Sequence, residues 1–121
     1  NVTALLTLGQ VETVAKALRG GAASIVSVFA GRIADAGIDP VPVMVEALAI
    51  LKDECPSAEL LWASPREVLT VIQADQIGCH IITATRVVLN KLGWLGKDLD
   101  QFSLETVQMF YNDACAAGFT L

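Results

Sequence analysis

Short runs of consecutive apolar residues alternate with longer amphipathic stretches along this chain, and the alternation repeats four times. The first run, "VTALLTL" (2–8), has strand length, and "GQVETVAKALRG" (9–20) follows with Val11, Val14, Ala15 and Leu18 at helical spacing and Gly20 and Gly21 as its stop. "SIVSVFA" (24–30) is the second run, and after a loop holding Asp35, Gly37, Asp39 and Pro40 comes "PVMVEALAILKDEC" (42–55), in which Val45, Leu48, Ala49 and Lys52 share a face. "ELLWAS" (59–64) leads into "PREVLTVIQADQIG" (65–78), with Pro65 at the first turn of a predicted helix, where its missing N–H costs nothing. "CHIITAT" (79–85) leads into "RVVLNKLG" (86–93). A last amphipathic segment, "SLETVQMFYNDACAAG" (103–118), opens around Ser103, Glu105 and Thr106 and closes on Gly118. Its apolar stripe is Leu104, Val107, Phe110, Tyr111 and Ala114.

Strands apolar at nearly every position are buried on both faces, as the strands of parallel sheets are. Their regular alternation with helices predicts an α/β fold with a parallel sheet. Four units are too few to close a barrel of eight strands, but they suffice for an open sheet or for half a barrel. No Pro/Gly/Ser-rich linker or low-complexity tract interrupts residues 1–121, so the pattern predicts a single domain.

Composition narrows the classes. With 121 residues, 54% of them hydrophobic and 17% charged, the chain is long enough to bury a core, which excludes disorder. A net charge of −5 without a lysine or arginine stripe argues against nucleic acid as a partner. No apolar stretch approaches the roughly 18–20 residues of a membrane span, and the first residues lack the basic segment and cleavage site of a secretory signal, so a cytoplasmic protein without a membrane partner is expected. Cys55, Cys79 and Cys115 are too far apart for a disulfide framework or a zinc site and read as reduced thiols. No Asp/Glu/His cluster has metal-ligand spacing, so neither a metal nor another cofactor is expected.

Candidate chemistry lies where the predicted strands end, because in parallel α/β folds the loops after the strand carboxyl ends carry the site. Arg32 follows the second strand after Gly31, and Arg66 follows the third after Ser64 and Pro65. Two guanidinium forks on one rim, with the hydroxyls of Ser27 and Ser64 nearby, suit a phosphate dianion. The alternative is that each arginine holds a loop by pairing with Asp35, Asp39 or Glu67. No glycine-rich nucleotide motif competes for the role.

The segments "NVTALLT", "SVFAGRIADAG", "LLWASPRE", "GCHIIT" and "TVQMFYNDACAAGF" resemble, in that order, the second half of a transaldolase, of the group that includes fructose-6-phosphate aldolase. The resemblance implies strands 5–8 of a TIM barrel plus a C-terminal helix. Its family reaction, in carbohydrate metabolism and the pentose phosphate pathway, forms a Schiff base between a strand-four lysine and a ketose phosphate. The C3–C4 bond is then cleaved and the dihydroxyacetone unit passes to an aldehyde. By the same resemblance Asn1 contacts the dihydroxyacetone moiety, Ser27 lies beside the bound sugar, and Arg32 and Arg66 hold the phosphate of a substrate such as fructose 6-phosphate, with the Ser64 hydroxyl beside them placed by its position before Arg66 as a further phosphate donor. The Schiff-base lysine is expected upstream of Asn1. Lys16, Lys52, Lys91 and Lys97 fall on predicted outer helix faces or in a loop, where no desolvated pocket would activate them. The chain is therefore expected to bind rather than turn over on its own, and to form a homo-oligomer that shields its half-barrel.

Four further residues have competing readings. His80 sits in an apolar run as a hydrogen-bonded residue or a general base, and Trp62 as a packing residue or a sugar platform. Asp35 and Asp39 read as turn formers or acids. Two alternatives to a truncated enzyme stay open: a non-catalytic half-barrel that self-associates and binds sugar phosphates, and a partner for a separately encoded N-terminal half.

Overall fold

A computed structural model describes residues 1–119 and divides the chain into two compact units, one spanning Asn1–Lys91 and one starting at Leu92. The first unit holds four strands, β1 (Val2–Leu5), β2 (Ser24–Val28), β3 (Ala58–Trp62) and β4 (Ile81–Ile82). They form one sheet in the order β1-β2-β3-β4, and every pairing is parallel. Between them run α1 (Leu8–Leu18), α2 (Ala30–Asp35), α3 (Pro40–Glu54) and α4 (Val68–Gln76), and α5 (Arg86–Lys91) follows β4. Strand order selects between the two predicted architectures. Crossovers between parallel strands are right-handed, so a sheet that advances in one direction carries all its helices on one face. A doubly wound sheet needs a reversal of order, and there is none. The unit is a parallel (β/α) half-barrel.

The core lies between sheet and helices. Val26 and Val28 of β2 and Ala58, Leu60 and Trp62 of β3 face it, with Leu5, Val11, Ala15, Met44, Ala47 and Leu51 packed around them. Alternation sends Ser27 and Leu61, which are register partners, to the opposite face. β1 obeys alternation only through a bulge. Val2 pairs with Val26 and Leu5 with Val28, three residues against two, and Ala4 takes up the extra residue at φ 67°. Without it Leu5 would turn away from the core and Asn1 would not share the face of Ser27.

Several predicted boundaries shift, each for a local reason. The first run ends as a strand at Leu5, because Thr7 and Gln10 form a capping box that starts α1 at Leu8. The second run stops at Val28, and Ala30–Asp35, expected to be strand end and loop, is the short helix α2. α3 starts two residues earlier than expected, with Asp39 accepting from the Val41 N–H at 2.9 Å. Its buried residues include Met44, Ala47 and Leu51; of the four residues expected to share a face, Leu48 packs partly buried against the core, while Val45, Ala49 and Lys52 are exposed. Pro65 is not a helix-start residue, since α4 begins at Val68 after Glu67. β4 is two residues long instead of seven.

In the second unit, a 3-10 turn (Leu92–Trp94) precedes α6 (Leu99–Ala116). α6 starts four residues before the expected Ser103, because Asp98 accepts from the Gln101 N–H at 2.8 Å. Gly118 ends it as expected, at φ 82°. The Gly118 N–H donates to the Cys115 carbonyl and the Phe119 N–H to that of Ala114, a Schellman closure. Within this unit Trp94 meets Phe102 edge-on at 5.5 Å, and Lys97 pairs with Glu105, whose carboxyl it holds below its ordinary pKa.

Candidate functional site

The carboxyl ends of β2, β3 and β4 bring three loops together. Backbone hydrogen bonds extend the ladder past the strands: Phe29 N–H donates to Leu5 O, Ala63 N–H to Val28 O, and Thr83 N–H to Trp62 O. The first residue of each loop is thereby held in line with its neighbour.

The loops after β2 and β3 touch at one point. Gly31 donates its N–H to the Ala63 carbonyl at 3.1 Å. A Cβ at Gly31 would stand 1.6 Å from the Ser64 carbonyl oxygen, so only glycine admits this approach. Ser64 itself occupies the left-handed region at φ 63°, which turns the chain sharply toward Arg66. The glycine that separates the strand from Arg32 is thus also the contact that joins the two arginine-bearing loops.

Arg66 lies on this rim between two clefts. One, of about 340 Å³, is bounded by Ser64, Pro65, Arg66, Thr83 and Thr85 at the strand ends. The other, of about 330 Å³, lies between α2 and α4 and includes Asp35, Arg66 and Thr70. The guanidinium donates from Nη2 to Asp35 Oδ2 at 2.6 Å, which leaves its other N–H groups free, and both side chains are more than half exposed. The loop-holding alternative is realised in this pair; an exposed ion pair of this kind contributes only about 0–1 kcal/mol and yields easily to a competing anion. Arg32 follows a different course. Its guanidinium carbon is 5.2 Å from the centroid of the Phe29 ring, and it makes no ion pair among the described residues. Asp39, another of the acids weighed, caps α3.

Below the rim, on the sheet face opposite the core, Ser27 Oγ donates to Asn1 Oδ1 at 2.7 Å. Ser27 is 2% exposed and is the buried polar residue of the sheet, whereas Asn1 is exposed. Residues 26 positions apart thus become one polar pair on one face. Sequence spacing places each of these residues near a strand; it does not show that Asp35 meets Arg66, that Phe29 underlies Arg32, or that Thr83 and Thr85 border the cleft.

The remaining candidates resolve individually. Trp62 is fully buried among core residues, so it packs, and its Nε1 has no partner among the described residues. His80 is hydrogen-bonded but exposed, at the entry to β4 rather than inside a strand: its Nδ1 accepts from the Leu60 N–H at 3.0 Å. None of the four lysines lies on a strand. Lys16 and Lys52 are on exposed positions of α1 and α3, Lys91 ends α5, and Lys97 is paired with Glu105. Among the described residues there is no group of His, Cys, Asp and Glu arranged to hold a metal ion, and no helix is long and apolar enough to cross a membrane.

A half-barrel with a polar pair on its inner face and arginines at its carboxyl rim has the architecture of the α/β-barrel class. The family model of transaldolase/fructose-6-phosphate aldolase matches residues 1–120, and the chain belongs to that family. It is 35% identical over 89 residues to a probable transaldolase of Clostridium kluyveri, which covers 74% of this chain and 40% of the relative. It is 38% identical over 92 residues to a probable transaldolase of Mesorhizobium japonicum, covering 76% of this chain and 40% of that protein. A probable transaldolase of Thermoanaerobacter is 32% identical over 92 residues, 76% of this chain and 41% of the relative. The chain spans about two fifths of the length of these curated relatives.

Proposed function

We propose that this chain is the sugar-phosphate-binding half of a transaldolase-type barrel. Arg32 and Arg66, with the Ser64 hydroxyl, hold the phosphate of a ketose phosphate such as fructose 6-phosphate at the rim, and Asn1 and Ser27 face the dihydroxyacetone portion below it. The observation that carries this reading is the order of polar groups along the sheet: the Asn1–Ser27 pair on the inner face, then the Gly31–Ser64 contact that sets both arginine loops at the strand ends. Such a row fits an elongated ligand, neutral and hydroxylated at one end and anionic at the other. Guanidinium groups suit the anionic end because each offers a planar pair of donors to phosphate oxygens.

In the family reaction a lysine attacks the ketose carbonyl. The strands present no lysine, and none of the four on helices and loops lies at the carboxyl ends of the strands, where the proposed sugar site is. The chain by itself therefore binds without turnover, and the transfer step belongs to a complete barrel. Calorimetry with fructose 6-phosphate tests the binding: heat is expected from the chain, and its loss from the Arg32→Ala/Arg66→Ala double variant. Binding that survives both substitutions overturns the phosphate assignment. Borohydride trapping with the same sugar, read by intact mass, tests the chemistry, with no adduct expected; a stoichiometric adduct would make the chain an enzyme in its own right.

The second reading, a self-associating half-barrel, draws on the sheet edges. β1 and β4 each have one pairing partner among the described residues, and unpaired edges favour association. It is compatible with the first and concerns what completes the barrel.

A further inference from the structure

At the opposite end of the strands from the arginines, a cleft of about 320 Å³ opens between the carboxyl ends of α3 and α4, near the small end of the range that small-molecule sites occupy. α3 packs on β3, and the cleft lies beside the amino end of that strand at Ala58. The walls are apolar, from Leu48 and Leu51 of α3, Pro56, and Ile77 after α4, and the side-chain polar groups of the lining are those of Lys52 and His80.

His80 has one orientation and one role here. The entry to β4 is not closed by backbone pairing alone: the Leu60 N–H donates to His80 Nδ1 at 3.0 Å, and the Leu60 carbonyl accepts from Cys79 Sγ at 3.4 Å. A nitrogen that accepts from an N–H cannot carry a proton, so the neutral ring bears its proton on Nε2. The imidazole is thus a fixed donor. Lys52 forms no ion pair among the described residues, and no carboxylate lines the cleft. Helix carboxyl ends repel anions through unsatisfied carbonyls, and several of these have partners here. Leu51 O accepts from Cys55 N–H, Gln73 O from Ile77 N–H, Ala74 O from Cys79 N–H and Asp75 O from Gly78 N–H. What remains is an apolar trough with two donors, one cationic, and no side-chain acceptor.

We propose that this cleft is a second ligand site, separate from the sugar-phosphate rim, for a small amphipathic carboxylate whose apolar body lies against Leu48, Leu51, Pro56 and Ile77 and whose carboxylate takes hydrogen bonds from Lys52 Nζ and His80 Nε2. The chain has one histidine, so 15N-histidine labelling of the full chain reports this site alone. Benzoate is the probe, and its neutral isostere benzamide the control. Benzoate is expected to shift the Nε2 resonance saturably below about 10 mM, while Nδ1 keeps the signature of an unprotonated acceptor. Lys52→Met, at an exposed position, is expected to weaken benzoate about fivefold and to leave benzamide unchanged. Ala49→Phe, which fills the trough from an exposed helix position, is expected to abolish the shift. The proposal is overturned by an unsaturable shift, by equal effects of benzamide and benzoate, or by unchanged benzoate binding in the Lys52→Met variant.

Discussion

One hydrogen atom in place of a methyl group decides whether the loops after β2 and β3 can meet. At Gly31 a Cβ would lie 1.6 Å from the Ser64 carbonyl oxygen and 2.6 Å from its carbon, and both are backbone atoms that cannot rotate away. Gly31→Ala is expected to cost about 3 kcal/mol in urea unfolding, the upper end of what overpacking costs, and to weaken fructose 6-phosphate binding by displacing Arg32 and Arg66. A variant of unchanged stability and affinity would show that the loop contact is dispensable. The three thiols differ in the same residue-by-residue way. Cys55 is 1% exposed and Cys115 is exposed. Burial pushes the Cys79 thiol up from its ordinary pKa, although hydrogen bonding to backbone works the other way. A thiol raised by folding stays neutral more readily in the native state. Its contribution to stability is complete below the unfolded thiol pKa and is lost as pH rises through the raised value. Iodoacetamide at neutral pH should therefore label Cys115 alone in peptide mass spectra, with Cys79 labelled only in the alkaline range and with falling thermal stability. Equal labelling of Cys79 and Cys115 at pH 7 would contradict this order.

Among the elements, those with local start signals are the firmest. α1 begins where Thr7 Oγ1 accepts from the Gln10 N–H at 3.3 Å and Gln10 Oε1 accepts from the N–H groups of Leu6 and Thr7. Thr7→Ala should cost about 1 kcal/mol in thermal or denaturant unfolding, and Thr7→Ser almost nothing; equal losses in both would place the effect outside the cap. The helical stripe Val11, Val14, Ala15 and Leu18 is legible in the sequence because α1 is polar elsewhere, and it is the face that packs. α3 is different. "PVPVMVEALAIL" is apolar on most sides, so periodicity alone does not say which face turns inward, and packing chooses Met44, Ala47 and Leu51. α2 has no side-chain cap at Phe29 and only six residues. It is held by burial of Ala30, Gly31 and Ile33, a tertiary cause that leaves no local signal. β4 is shorter than its apolar run because side chains of Cys79 and His80 occupy the places on Leu60 that a longer ladder would use.

For the molecule as a whole, the half-barrel has two edges, β1 and β4, each paired on one side among the described residues. We expect the chain to be a dimer or larger in analytical ultracentrifugation, with edge or inner-face contacts between copies. A monodisperse monomer that binds no hydrophobic dye would count against association. On α6, Leu104, Val107, Phe110 and Tyr111 are all at least half exposed, so the stripe visible in the sequence is a property of the helix that its own unit leaves uncovered.

By itself the sequence determines the number and order of the strand–helix units, the parallel character of the sheet, and the placement of Arg32 and Arg66 after strands, because hydrophobic period and strand burial are local properties of the chain. Hydrophobic period alone does not say which way the sheet winds; the resemblance of its segments implies a half-barrel, and the spatial order β1-β2-β3-β4 shows it, with the helices on one face. The close partners in the candidate site are decided the same way. Asn1 meets Ser27, Gly31 meets Ser64 and Asp35 meets Arg66 across 26 to 33 residues of chain. Such pairs exist only once parallel strands align their carboxyl ends, and no local period in the chain records that alignment.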